Sequence, residues 1–462
     1  MMSSRRRLHG PILLMVLATA VLLPPAAGAL PRILPLEQRA AVIDGWTRHR
    51  IEQVLPDLMR RTGIDLWVII SREYNEDPVI RTMLPATEFA ARRRTMLLIF
   101  DPGDGAALET LSVSRYGVGD SFEGAWDKEA DGDQWTHLAK LIAERDPQRI
   151  GIDVSEDWSH ADGLPQTEYR LLMAALPEQL HGRVTSAEQL AVAWLETRSE
   201  PEMAVYPLIV RIAHEIIAEG LSEAVIQPGV TTTDAVQWWY RERLAELKLA
   251  TWFHPSVSVQ RADMAESDHE TAVLAEDVDV IRPGDLVHVD FGLTYLRLNT
   301  DTQQHAYVLR PGETEAPAEL QEALARGNRL QDILTGNFRL GRTGNEVLAM
   351  SLAQAAGEGI EASIYTHPLG YHGHAAGTTI GMWDQQGGVP GSGDHPLQAD
   401  TVFSIELYAA TSIDAWADKK VRIRLEEDAF FDGEAVRYLD GRQTRFHLIP
   451  RPARTGCCTP GP

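Results

Sequence analysis

The stretch "GDLVHVDFGLTYLRLNTDTQQHAYVL" (residues 284–309) decides how this chain is read. With a period of two, Leu286, His288 and Asp290 share one face of a strand, and Val287, Val289 and Phe291 share the other. Gly292 and the polar residues after Leu293 predict a turn into a second strand that carries Asp301. Two carboxylates on neighbouring strands that face one crevice repel each other unless a cation lies between them. The alternative is that Asp290 opens the turn and Asp301 is solvated, so the rest of the chain has to decide.

At 462 residues the chain is long enough for two or three domains. Its 44% apolar and 24% charged composition is that of an ordinary globular protein. A net charge of −23 argues against nucleic acid and against anionic lipid as partners, since both need a basic surface. "MMSSRRRLHG" is a basic leader, "PILLMVLATAVLL" a 13-residue apolar run and "AAGA" a small-residue cleavage site, so residues 1–29 read as a signal peptide. The apolar run is short of the roughly 20 residues a membrane span needs. Discounting Arg5, Arg6 and Arg7 takes the charge from −23 to −26. The expectation is an exported, soluble, acidic protein, periplasmic or secreted, with no membrane span. Its two cysteines, Cys457 and Cys458, are adjacent in a Pro/Gly-flanked tail, so disulfides do not hold the fold.

Residues 30–199 alternate helical and strand patterns and predict a smaller α/β domain. Its strands are "IDLWVIIS", "RTMLLIFDPG", "LETLSVSRYG" and "RIGIDVSE". Ser199, with Pro201 in the first turn, predicts the cap of a long amphipathic helix that opens a second domain over 200–440. Residues 441–462 read as a tail. Within the second domain, "PGVTTTDAVQWWYRERLAEL" (228–247) and "LGRTGNEVLAMSLAQAAGEG" (340–359) form a faint repeat. Both run from Gly-x-Thr into a helix, at Gly229/Thr231 and Gly341/Thr343. A duplicated helix–strand module builds a site between its halves, each donating ligands.

The later half supplies more acid. "TVFSIELYAA" (401–410) places Ser404, Glu406 and Tyr408 on one face of a strand, and "VRIRLEEDAFF" (421–431) does the same with Arg422, Arg424 and Glu426. An acid inside a β-branched run needs a partner. Four strand carboxylates are more than two arginines can pair. Between the acidic pairs, "THPLGYHGHAAGTTIG" (366–381) sets His367, His372 and His374 among glycines. Such an oxygen-rich set with an imidazole suits Mn²⁺, Zn²⁺ or Co²⁺, and can bridge two ions. On this reading Asp290 and Asp301 are metal ligands.

The order Asp, Asp eleven residues later, His, Glu, Glu resembles the pita-bread metallopeptidases, the family of aminopeptidase P, prolidase and methionine aminopeptidase. "RTGIDLWVII", "RIGIDVSE" and "WLETRSEPEM" resemble that family's creatinase-type N-terminal domain. The resemblance implies an α+β chain with a pseudo-symmetric pita-bread catalytic domain. It implies two divalent ions, with Mn first and Zn or Co as alternatives, held by Asp290, Asp301, His374, Glu406 and Glu426. His374 is chosen because Gly373–Gly377 fits the family's Gly-His-x-x-Gly, with His372 as the fallback. Glu406 would double as general base, and Arg424 would orient Glu406 or Glu426. His269, with His254 as competitor, would hydrogen-bond substrate, as would His367 and His372. Two departures stand out: Gly381 occupies the place of a second shuttle His, and Gln303 that of a Thr.

The activity implied is exopeptidase cleavage of short peptides, as an Xaa-Pro aminopeptidase or dipeptidase. A pita-bread binding protein without hydrolysis is the rival, and creatinase-like chemistry without metals a third reading. The resemblance leaves room for a homo-oligomer, because the N-terminal domain can close over a partner's site. "EGAWDKEADGDQW" (123–135) is the stretch considered for that closure.

Overall fold

The strand Leu286–Phe291 lies between Ser256–Gln260 and Thr302–Val308, antiparallel to both, and His447–Ile449 completes the sheet. The computed structural model describes residues 30–264 and 279–452. Residues 1–29, read above as a signal peptide, and His269, Cys457 and Cys458 lie outside the described residues. The predicted alternation is realised in packing. Val287, Val289 and Phe291 enter one apolar cluster with the helices Tyr206–Gly220 and Thr233–Glu246, while Leu286 enters a second. Asp301 does not sit in the second strand as read from the sequence. It stands one residue ahead of Thr302–Val308, after a small hairpin of Thr294–Tyr295 with Leu298–Asn299.

The two acidic stretches after it are likewise not single strands. Thr401–Ser404 belongs to a four-stranded sheet and Leu407–Ile413 to a three-stranded one, so the chain changes sheets at Ile405–Glu406. Lys419–Leu425 and Asp428–Phe431 make the reverse change at Glu426–Glu427. At each change the backbone groups find partners outside the ladders, as buried amides must. Glu426 exchanges hydrogen bonds with Gln303, and the Glu406 N–H donates to Thr366 Oγ1 at 3.0 Å.

The faint repeat is structural. Gly229 and Gly341 both take positive φ, +83° and +78°, a conformation glycine adopts without a Cβ clash. Helix Thr233–Glu246 is capped by Thr232, and helix Gly344–Gly357 by Thr343 in a capping box with Glu346. The caps are therefore offset by one residue from the Thr231/Thr343 match. Each cap also bridges the segment leading to its own acidic strand, Thr232 to Val280 and Thr343 to Pro396.

Before residue 200 a six-stranded mixed sheet runs in the order Glu123–Gly124, Glu109–Ser112, Arg94–Phe100, Leu66–Arg72, Ile150–Ile152, Val184–Ser186. Ser199 does form a capping box, with Glu202. The helix it starts is short, Glu200–Met203, and a second begins at Tyr206. Pro207 explains the break: it lacks an N–H and is tolerated in a first turn but not in a helix interior. No helix among the described residues is long and apolar enough to cross a membrane.

Candidate metal centre

The sheet changes aim carboxylates at one point. His367 Nε2 lies 3.6 Å from Asp301 Oδ2, 3.7 Å from Glu426 Oε1 and 3.8 Å from Glu406 Oε2. Asp290, Asp301 and Glu426 form a second group of donors whose atoms lie within 4.8 Å of one another. His367 begins the strand His367–Leu369, paired in register with Ser404 of Thr401–Ser404. That ladder brings a histidine from one loop to acids from three other segments.

These donors fit a cation. His367 Nδ1 is 3.0 Å from the Pro368 carbonyl oxygen, which can only accept, so Nδ1 carries a proton. Nε2 is buried with no hydrogen-bond partner, and so is Asp290 Oδ1. Buried polar atoms without partners are costly, and here they converge on one another. Burial, and then the charge of Glu426, push the Asp290, Asp301 and Glu406 carboxyls well above the ordinary carboxylate range. Positive charge among them would relieve both penalties.

Two holding residues were not singled out as such in the sequence. Gln303 Nε2 donates to Glu406 Oε1, while its Oε1 lies 2.9 Å from His288 Nε2. Ser404 Oγ donates to Glu426 Oε1 at 2.5 Å. The sign of Gln303 was its pairing opposite Asp290 in the ladder, which only the register reveals. Arg424 forms no salt bridge with Glu406 or Glu426 among the described residues. Its backbone N–H donates to His305 Nε2, and its charge reaches Asp290 and Glu406 only at longer range.

The histidines separate. His374 is exposed, its ring edge-on to His367 at 4.7 Å and to Trp252 at 5.2 Å, and it joins Asp301 and His367 in a third donor group. Although its outer edge meets solvent, desolvation on its inner side, then His367, lower its pKa to about 4. His372 belongs to none of these groups; its ring lies tilted against His160 at 4.5 Å. His254 is exposed beside Trp238 and Arg241. The turn after Ile150–Ile152 also reaches this loop, with His160 against His372 and Trp158 Nε1 donating to Gly377 O at 3.4 Å.

Residues 209–431 match the profile of metallopeptidase family M24. Residues 209–431 are thus an M24 metallopeptidase domain. The chain has the pita-bread fold of that family. It is similar to an X-Pro aminopeptidase from Thermotoga maritima MSB8, at 17% identity and TM-score 0.59, covering 85% of this chain and 100% of that one. It is also similar to an Xaa-Pro dipeptidase from Bacillus anthracis, at 16% identity and TM-score 0.53 over 90% and 100% of the two chains. A variant of Escherichia coli aminopeptidase P matches at 12% identity and TM-score 0.55, over 84% and 95%. At these identities the likeness is one of fold. No curated protein matches the chain. M24 enzymes use divalent metals, and the donors described above are the groups in this one that could hold them.

Proposed function

We propose that this M24 enzyme is an exported dinuclear-metal exopeptidase that releases the first residue from short peptides, with Xaa-Pro bonds its preferred substrates. The observation that carries the reading is the unpartnered His367 Nε2 facing three carboxylates, two of them buried. In this reading the ligands are Asp290, Asp301, His367, Glu406 and Glu426. His367 replaces His374 as the imidazole ligand, and the first departure noted in the sequence then disappears. His367-x-x-Gly370 fits the family pattern, and the second histidine falls seven residues on, at His374. The residue before the ligand becomes Thr366 instead of Gly. A threonine serves there because its Oγ1 holds the Glu406 backbone, accepting at 3.0 Å and donating at 2.9 Å.

Divalent ions, with Mn²⁺ first, supply Lewis acidity and a water acidic enough to attack near neutral pH. The chain's own residues do the rest. Glu406 has one oxygen tied to Gln303 and the other facing the cluster, so it is placed to take a proton from the attacking water and return it to the leaving amine. His374, half out in solvent, is placed to hydrogen-bond the substrate carbonyl. Proline selectivity is supported by the names of the fold's relatives, an X-Pro aminopeptidase and an Xaa-Pro dipeptidase. Export is supported by the basic and apolar leader at residues 1–29.

The test uses the chain from Leu30 onward, loaded with Mn²⁺ and incubated with short peptides, half of them with proline second, against a chelated control. Mass spectrometry should show metal-dependent release of the first residue, fastest before proline. Equal cleavage of both halves would remove the proline preference and keep the peptidase. No cleavage with metal bound would leave the rival, a binding protein.

A further inference from the structure

The loop that runs from His367 to His374 is tied to a buried charge cluster outside the matched domain. Arg50 and Glu202 are fully buried, and Arg50 Nη1 donates to Glu202 Oε2 at 2.9 Å. The other carboxylate oxygen, Oε1, accepts from the Tyr371 hydroxyl at 2.8 Å and lies 3.5 Å from Arg198 Nη1. Arg50 belongs to the π-helical turn Arg50–Val54 that interrupts the first long helix, and its other amino group is fixed on the Trp194 carbonyl. Turns of this kind put a side chain where a regular helix could not.

Two buried guanidinium groups face one carboxylate, and the surplus positive charge lies against the Tyr371 ring, with centroid distances of 5.3 Å for Arg50 and 4.8 Å for Arg198. Burial opposes ionisation of Glu202, but Arg50 and Arg198 outweigh it and hold the carboxyl down to about 2. Burial and then Glu202 push the phenol up, so Tyr371 stays a donor. The residue before it is pinned from the other side. Gly370 O accepts from both Asn299 N and Asn299 Nδ2, at 2.9 and 3.0 Å, and Asn299 stands two residues before Asp301. A Cβ at Gly370 would come within 2.9 Å of Arg198 Cζ, so the loop backbone lies directly on the cluster.

We propose that Arg50 and Glu202 are positioning residues for the histidine loop, acting through the Tyr371 hydroxyl to fix the path between His367 and His374. The N-terminal helix is then part of the catalytic apparatus without touching substrate. This rests on the reading of His367 and His374 given above.

Tyr371→Phe keeps the ring between the two arginines and removes only the hydrogen bond. In full-length protein we expect Mn²⁺ binding, followed by electron paramagnetic resonance of the free ion, to weaken about tenfold, the lower end for loss of a residue supporting a ligand. At saturating Mn²⁺, kcat should fall by about the same factor with KM changed less than about twofold. Arg50→Lys, which keeps the charge and loses the planar fork, should move both quantities in the same direction, and it decides the matter if Tyr371→Phe does not fold. A lower melting temperature with Mn²⁺ affinity and kcat at wild-type values would overturn the proposal, because a purely structural cluster would behave that way. If the wild type binds Mn²⁺ but cuts no peptide, the peptidase reading falls while the resonance comparison still decides this one.

Discussion

His367 and His374 share a short loop and differ in everything that matters for a ligand. His367 is buried with its Nδ1 committed to a backbone carbonyl and Nε2 turned to the acids. His374 is exposed and meets His367 edge to face. His367→Ala should therefore abolish tight Mn²⁺ binding, read by calorimetry. His374→Ala should leave binding near wild type and lower kcat by about a hundredfold, the scale of lost proton or hydrogen-bond assistance. The reverse pattern would return the ligand role to His374. Gln303→Ala frees one Glu406 oxygen from the amide that holds it, and should cost about 10–100-fold in kcat or in metal affinity. An unchanged enzyme would show that the amide has no part in setting Glu406.

Elements place these residues by breaking where strand chemistry would have continued. The changes of sheet at Glu406 and Glu426 turn both acids inward, and Thr366 closes the first change with two hydrogen bonds to Glu406 backbone. Thr366→Val keeps the shape and leaves the Glu406 N–H unpaired, while the Glu406 carbonyl keeps the Tyr365 N–H at 3.2 Å, so it should destabilise by about 1–2 kcal/mol, read as a lower urea midpoint at unchanged slope. On the opposite side of the same strands, His214 lies between Glu427 at 2.8 Å and Asp440 at 3.0 Å. Burial disfavours its charge, yet Glu427 and Asp440 outweigh this and raise it to about 10. The folded value lies above the unfolded one of about 6.5. The extra stability is thus complete below about pH 6.5 and is lost as pH rises through about 10. His214→Gln should be less stable than wild type by about 3 kcal/mol at pH 6.5, with the two converging near pH 10 in urea titrations. A gap independent of pH would mean the histidine is not charged.

For the whole molecule, the cost of gathering four carboxylates is borne by the packed sheets around them, and a bound cation should return part of it as stability. With Mn²⁺ at about a hundred times its Kd, unfolding should become about 2.7 kcal/mol harder, and chelation should reverse the gain. Equal melting curves with and without metal would contradict the donor set. The early part of the chain contributes at this scale as well. Trp158 and His160 reach the histidine loop from the six-stranded sheet's side.

Much of this was legible in the residues. Alternation at 286–291 follows from chain geometry, since side chains of a strand point to opposite faces wherever it is placed. The order of the acids, the Gly-x-Thr repeat and the Ser199 cap are local patterns, and local patterns survive without knowledge of what packs on them. The histidine assignment could not be settled this way, because His-x-x-Gly occurs at both His367 and His374, and the full Gly-His-x-x-Gly string belongs to His374, the imidazole that the fold leaves at the rim. Only the ladder between His367–Leu369 and Thr401–Ser404 ranks them, by carrying one imidazole into the acids and leaving the other at the rim. The roles of Gln303, Ser404 and Tyr371 were hidden for the same reason. Their partners are 22 to 169 residues away along the chain, and such contacts exist only once the sheets have closed.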